Sequence, residues 1–131
     1  MGSMYPEKHS WIVRAARLLF AAAILFTLYE AMERHPLAIL PPSSSDKVLH
    51  GMAFYLLSFL MDMAYPSNRL LLQKVLFLAF FGIFIELVQV YLPWRSAEVM
   101  DFIADCIGIA LYLIPALLVR QMLKRRSSTI A

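Results

Sequence analysis

The stretch LLLQKVLFLAFFGIFIELVQVYL, residues 70–92, decides how this chain is read. It exceeds the roughly 20 apolar residues that a helix needs to cross a bilayer. Yet it carries Glu86, with Gln89 three residues on. A carboxylate in hydrocarbon costs several kcal/mol. His50, Asp101 and Asp105 occupy comparable depths in other apolar runs. A chain that keeps several ionisable groups at one depth is expected to use them.

Three further apolar runs cover about 11–32, 48–65 and 100–122. The chain has 131 residues, 61% hydrophobic and 16% charged, with mean hydropathy +0.68. No soluble domain of this size can hide so much apolar surface. The expected fold is all-α: a polytopic membrane bundle of four transmembrane helices, forming one domain over 4–131. Met1, Gly2 and Ser3 read as an expression scar ahead of Met4. The first run is kept as a span and not a signal peptide, because no small-residue cleavage site precedes Glu33-Arg34-His35.

The net charge of +3 and pI near 9.2 do not indicate nucleic-acid binding, since the basic residues cluster at the ends of apolar runs. Cys106 is the only cysteine, so no disulfide forms within the chain, and in an apolar helix it reads as packing. The methionines also read as packing. Trp11, Tyr91 and Trp94 fit interfacial belts, and His9 and His35 read as solvated flanks.

The connections carry turn chemistry. Pro36 to Ser45, with Pro41-Pro42, is a loop, and Ser45 or Asp46 is placed to cap the second helix. Tyr65-Pro66-Ser67-Asn68 is a tight turn, with Ser67 or Asn68 as cap for the third. Pro93-Trp94-Arg95-Ser96 ends the third helix, and Ser96 starts the fourth. Pro115 predicts a kink, and the tail Lys124 to Thr129 a frayed basic end that anchors on anionic lipid.

Lys8, Arg14, Arg17, Arg69, Lys74, Arg120, Lys124, Arg125 and Arg126 gather on one side of this topology. Arg34, Lys47 and Arg95 lie on the other, offset by Glu33, Asp46 and Glu98. The bias puts both termini in the cytoplasm. Glu86 then sits about 9 Å below the outer end of its helix, at 1.5 Å per residue. The distinctive polar groups fall in the outer half, and the inner half is apolar except for Asp62, Gln73 and Lys74, read as interfacial.

Helical spacing sorts the polar groups into rows. Gly82, Glu86, Gln89 and Pro93 form one; Asp101, Asp105, Gly108 and Tyr112 another; Lys47, His50 or Gly51, Phe54 and Ser58 a third. Carboxylate faces turn inward, and glycines permit close helix approach. The expectation is a small polar pocket between helices two, three and four, open to the outside, with the first helix as a brace. A plainer alternative is an ion-pair network of Lys47, Arg95, Glu86, Asp101 and Asp105 that only fastens helices. Three acids facing two fixed cations leave one acid over unless His50 is protonated or something binds.

Asp46-Lys47-x-x-His50, then Glu86-x-x-Gln89, then Arg95-Ser96, then Asp101 and Gly108 resembles the VanZ-like family of small bacterial membrane proteins. The resemblance covers about 46–113. It implies a multi-pass protein of the bacterial inner (cytoplasmic) membrane tied to envelope chemistry, the family being named for a member linked to resistance to teicoplanin, a lipoglycopeptide. By matching position the pocket residues are Asp46, Lys47, His50, Glu86, Gln89, Arg95 and Asp101. Where the family usually has Asn, this chain has Asp105, which adds a charge and puts a neutral amide's role in doubt.

The favoured function is binding or handling an amphiphilic envelope component, a membrane lipid or lipid-linked molecule. Lys47, His50 and Arg95 suit an anionic headgroup, and the acids suit hydroxyls or ammonium groups. Catalysis is the lesser reading, with Glu86 or Asp105 as acid and His50 as base. A carboxylate-rich set with His50 suits Mg²⁺ or Mn²⁺, but no ligand-spaced pair and no serine elbow is present, so no metal or cofactor is assigned. A proton path lacks an inner polar ladder. A second copy of the chain is a further partner, through Gly82 and Gly108 as contact points.

Overall fold

The computed structural model describes residues 8–34 and 45–130. The segment Met1–Ser3, His35, the loop 36–44 and the side chains of His9 and Ser45 lie outside the described residues. Four α-helices follow in order: α1 Lys8–Met32, α2 Ser45–Ala64, α3 Leu71–Val90 and α4 Val99–Ile130. No strand occurs among the described residues.

Three apolar segments, Ser10–Met32, Asn68–Val90 and Val99–Ile130, are long and apolar enough to cross a membrane. They carry their apolar side chains outward: Leu18, Leu72, Phe80 and Leu111 are between 61% and 75% exposed. Such faces suit lipid and not water, and the chain is an integral, multi-pass membrane protein. The second helix does not reach that measure, because Asp46, Lys47 and Asp62 fall within its 20 residues. It is also the most enclosed helix, packing on α4, α1 and α3. Protein partners meet the polar groups that lipid would not. Phe54, Leu57, Leu78, Ile85, Ile109 and Leu113 form the core around it.

The tightest approach is between α2 and α4, where Gly51 and Gly108 face each other. A Cβ at Gly108 would collide with the Gly51 carbonyl oxygen and lie 3.1 Å from the Tyr55 amide nitrogen. The glycine at 82 is likewise taken up inside the chain, against Asp105, Phe102 and Phe54. The contact points offered above to a second copy are therefore occupied within one.

Several local expectations change. Asn68–Leu70 forms a turn of 3-10 helix, and neither Ser67 nor Leu70 makes a side-chain cap bond; the backbone closes the turn, Ser67 N–H donating to Tyr65 O at 2.7 Å. The last helix starts at Val99, past Ser96, with Asp101 N–H donating to Glu98 O at 2.9 Å. It contains Pro115, as expected, and it continues through the basic tail, where Ser128 and Thr129 hydroxyls donate back to Arg125 O. Those bonds hold as helix a segment read as frayed.

Asp62 and Lys74, read as interfacial, are buried and paired at 3.0 Å. Arg120 joins the pair, and Tyr112 donates to Asp62 at 2.8 Å. Arg120 also donates to Asn68 at 2.8 Å. Edge contacts with Tyr55 and Phe59 fix the Tyr112 ring. Arg17 donates to the last carbonyl of α2, Ala64 O, at 3.1 Å and covers the Tyr65 ring, satisfying an orphan acceptor at a helix C-terminus. This end of the bundle is a charged lock joining all four helices.

Candidate functional site

The opposite end, where α2 and α4 begin and α3 finishes, collects the residues singled out from sequence. The i, i+4, i+7 rows put buried Gly82 and Gln89 on α3 and buried Asp101, Asp105 and Gly108 on α4 toward the bundle interior. Glu86, on the same α3 face, is half-buried. Asp46 and Asp101 stand in first helical turns, where the backbone dipole favours negative charge.

His50 is the centre. Its Nδ1 lies 2.8 Å from Oδ1 of Asp105, and its Nε2 lies 4.0 Å from Oδ2 of Asp101. Glu86 approaches from α3, and its Oε2 accepts the Glu98 backbone N–H at 3.0 Å. One ligand atom each from His50, Glu86 and Asp105 lie within 4.8 Å of one another, as do those of Asp46, His50 and Asp101. The fixed cations go elsewhere. Lys47 pairs with Glu98 at 2.9 Å and stands 3.8 Å from Asp101, and Arg95 pairs with Asp46 at 3.3 Å. Lys47 precedes the apolar run that begins at Val48, and the hydrogen bond it donates to Glu98 holds its ammonium above the ordinary lysine range.

The expected pocket between α2, α3 and α4 is thus filled by its own polar side chains. The open space lies beside it. A cavity of about 180 Å³ separates α1 from α2, walled by Phe26, Leu49, Phe54, Leu57 and Ile85, with Glu30, Asp46, His50 and Arg95 as its polar edge. The first helix is therefore a wall of the cavity as well as a brace. A second, of about 260 Å³, lies between α3 and α4 and reaches Glu86, Glu98 and Phe102.

Gln89 turns away from His50. Its amide donates to Ala31 O on α1 at 3.1 Å, so it ties α1 to α3. Trp94 does the same at the rim, donating to Met32 O at 3.0 Å beneath the Arg34 guanidinium. Glu98 is the residue that sequence reasoning left out of the site, although it binds both Lys47 and Glu86. Its signal was its place just before a helix start, one turn ahead of Asp101.

The family model described as VanZ/LLP1 matches residues 5–120 of the chain. The match takes in α1 as well as the helices that carry the polar cluster. No curated protein and no solved structure matches.

Proposed function

The chain belongs to the VanZ/LLP1 family, and from that premise we propose that it binds or handles an amphiphilic component of the bacterial cell envelope at the inner membrane. In this reading α2 is a fourth span and 4–131 is one domain. The basic residues at the lock end and along the tail face the cytoplasm, which the positive-inside rule favours. The His50 cluster then lies in the outer leaflet.

The observation that carries the reading is the α1–α2 cavity. Its walls are apolar and its edge holds His50, Asp46, Glu30 and Arg95. An acyl or isoprenoid tail suits the walls. An anionic headgroup suits Arg95, which touches Asp46 through a single nitrogen and whose Nε has no partner among the described residues. A guanidinium with free donors is suited to planar phosphate or carboxylate. The resemblance to a family named for lipoglycopeptide resistance fits a lipid-tailed ligand.

The test is mass spectrometry of lipids that co-purify in mild detergent. Arg95→Ala removes the headgroup contact, and Ala53→Phe, at a residue that lines the α1–α2 cavity, fills it. Both are expected to lose lipids that wild type retains. Retention of the same lipids by both variants overturns the proposal.

A further inference from the structure

Two buried carboxylates, Asp101 and Asp105, and the half-buried Glu86 meet one imidazole at the cluster; the nearby fixed cations pair with Asp46 and Glu98, and Lys47 stands 3.8 Å from Asp101. Among the described residues, Glu86 Oε1, Asp101 Oδ1 and Asp105 Oδ2 are buried atoms without a hydrogen-bond partner. Asp105 is 0% exposed and Asp101 1%. A buried, unpartnered carboxylate oxygen is costly. Asp105 Oδ2 also occupies a made space: a Cβ at Gly82 would come within 2.8 Å of it. The glycine one turn before Glu86 leaves room for this oxygen beside the Glu86 carboxylate.

We infer that His50, Glu86 and Asp105 form a binding site for one divalent transition-metal cation, Mn²⁺ or Zn²⁺. One imidazole with two carboxylates is a donor set for these ions, and it lacks the thiolates that select softer ones. Two carboxylates and a divalent ion sum to zero charge, so the filled site sits in an apolar bundle without a net charge to solvate. Metal–ligand bonds of about 2.1 Å place adjacent ligand atoms roughly 3 Å apart. The His50 Nδ1 to Asp105 Oδ1 separation of 2.8 Å is such an edge. A Glu86 oxygen lies within 4.8 Å of both atoms, and side-chain rotation would close it on them. Asp101 stands 4.0 Å from the other ring nitrogen. Drawn in by about 1 Å to hydrogen-bond distance, it would be the outer carboxylate that orients a metal-bound histidine. The cavity between α3 and α4 gives an entry path to Glu86. No ligand spacing marks the set in the sequence because its members come from three helices.

The site stands on its own residues and does not depend on the amphiphile reading, so it is tested with the ion alone. Detergent-purified protein is stripped with chelator and titrated with Mn²⁺ or Zn²⁺. Wild type is expected to take up one ion per chain, with a rise in Tm. Cys106→Ser is expected to bind like wild type. Asp101→Asn should lower affinity about 10–100-fold, and Glu86→Gln and Asp105→Asn by more. Should the variants fail to fold, electron spin-echo spectroscopy of Mn²⁺ on wild type decides: nitrogen coupling from one imidazole supports the site. Absence of that coupling, no stoichiometric uptake, or wild-type uptake by folded Glu86→Gln and Asp105→Asn overturns it.

Discussion

Gly51 and Gly108 face each other, yet they should respond oppositely to a methyl group. A Cβ at Gly51 would meet only the Ala104 carbonyl oxygen at 3.5 Å, an ordinary contact. A Cβ at Gly108 would collide with the Gly51 carbonyl oxygen and lie 3.0 Å from its carbon. Both positions are helical, so each alanine gains about 0.8–1 kcal/mol of helix propensity. Overpacking costs about 1–3 kcal/mol where neighbours can shift. Here the neighbour is backbone inside a helix, so the upper end applies. Gly108→Ala is therefore expected to lose about 2 kcal/mol net, and Gly51→Ala to match wild type or gain slightly. Thermal unfolding in detergent, followed by near-ultraviolet circular dichroism, reads both. The Gly108 variant should also lose cation uptake, since parting α2 from α4 opens the His50–Asp105 contact. A Gly108→Ala protein as stable as Gly51→Ala would refute the close-packed interface.

At the lock end, Asp62→Asn leaves the Lys74 ammonium buried with a weaker partner; removing one member of a buried pair costs about 3–5 kcal/mol, and an unchanged Tm would contradict the packing. Lys47→Ala, at a half-exposed pair, should cost less than about 1 kcal/mol in the same assay. Trp94→Phe removes the bond to Met32 O and should destabilise by about 0.5–1.5 kcal/mol, with faster amide exchange at the end of α1; exchange unchanged there would count against this tie. In a Cys106→Ser background, a cysteine at Glu98 is expected to react with an impermeant maleimide on intact spheroplasts and one at Ser127 only after lysis. The reverse pattern would invert the topology.

The α3 and α4 rows were legible because a helix keeps i, i+4 and i+7 on one face, and a carboxylate among apolar residues must turn inward. The charged lock was not. Lys74 lies near the start of its apolar run, where a long side chain ordinarily reaches water, and the partners that bury it come from α2 and α4. Nothing in the sequence pairs residues 62, 74 and 120. The destination of Arg95 and Lys47 was likewise out of reach, because spacing gives a face but not which of several nearby acids a long side chain meets. The α1–α2 cavity is a matter of shape, and α1 carries no polar row to announce it.

The central claim is that the acids around His50 are held for a ligand and not for the fold. Glu86→Gln in chelated, lipid-stripped protein tests it most directly. The amide can still accept the Glu98 N–H, while one of three clustered negative charges disappears. The account predicts a Tm equal to or above that of wild type and, when Mn²⁺ is added back, no uptake of the cation. A Tm lowered by several degrees, with wild-type uptake of Mn²⁺ on its return, would make the cluster a brace and contradict the account.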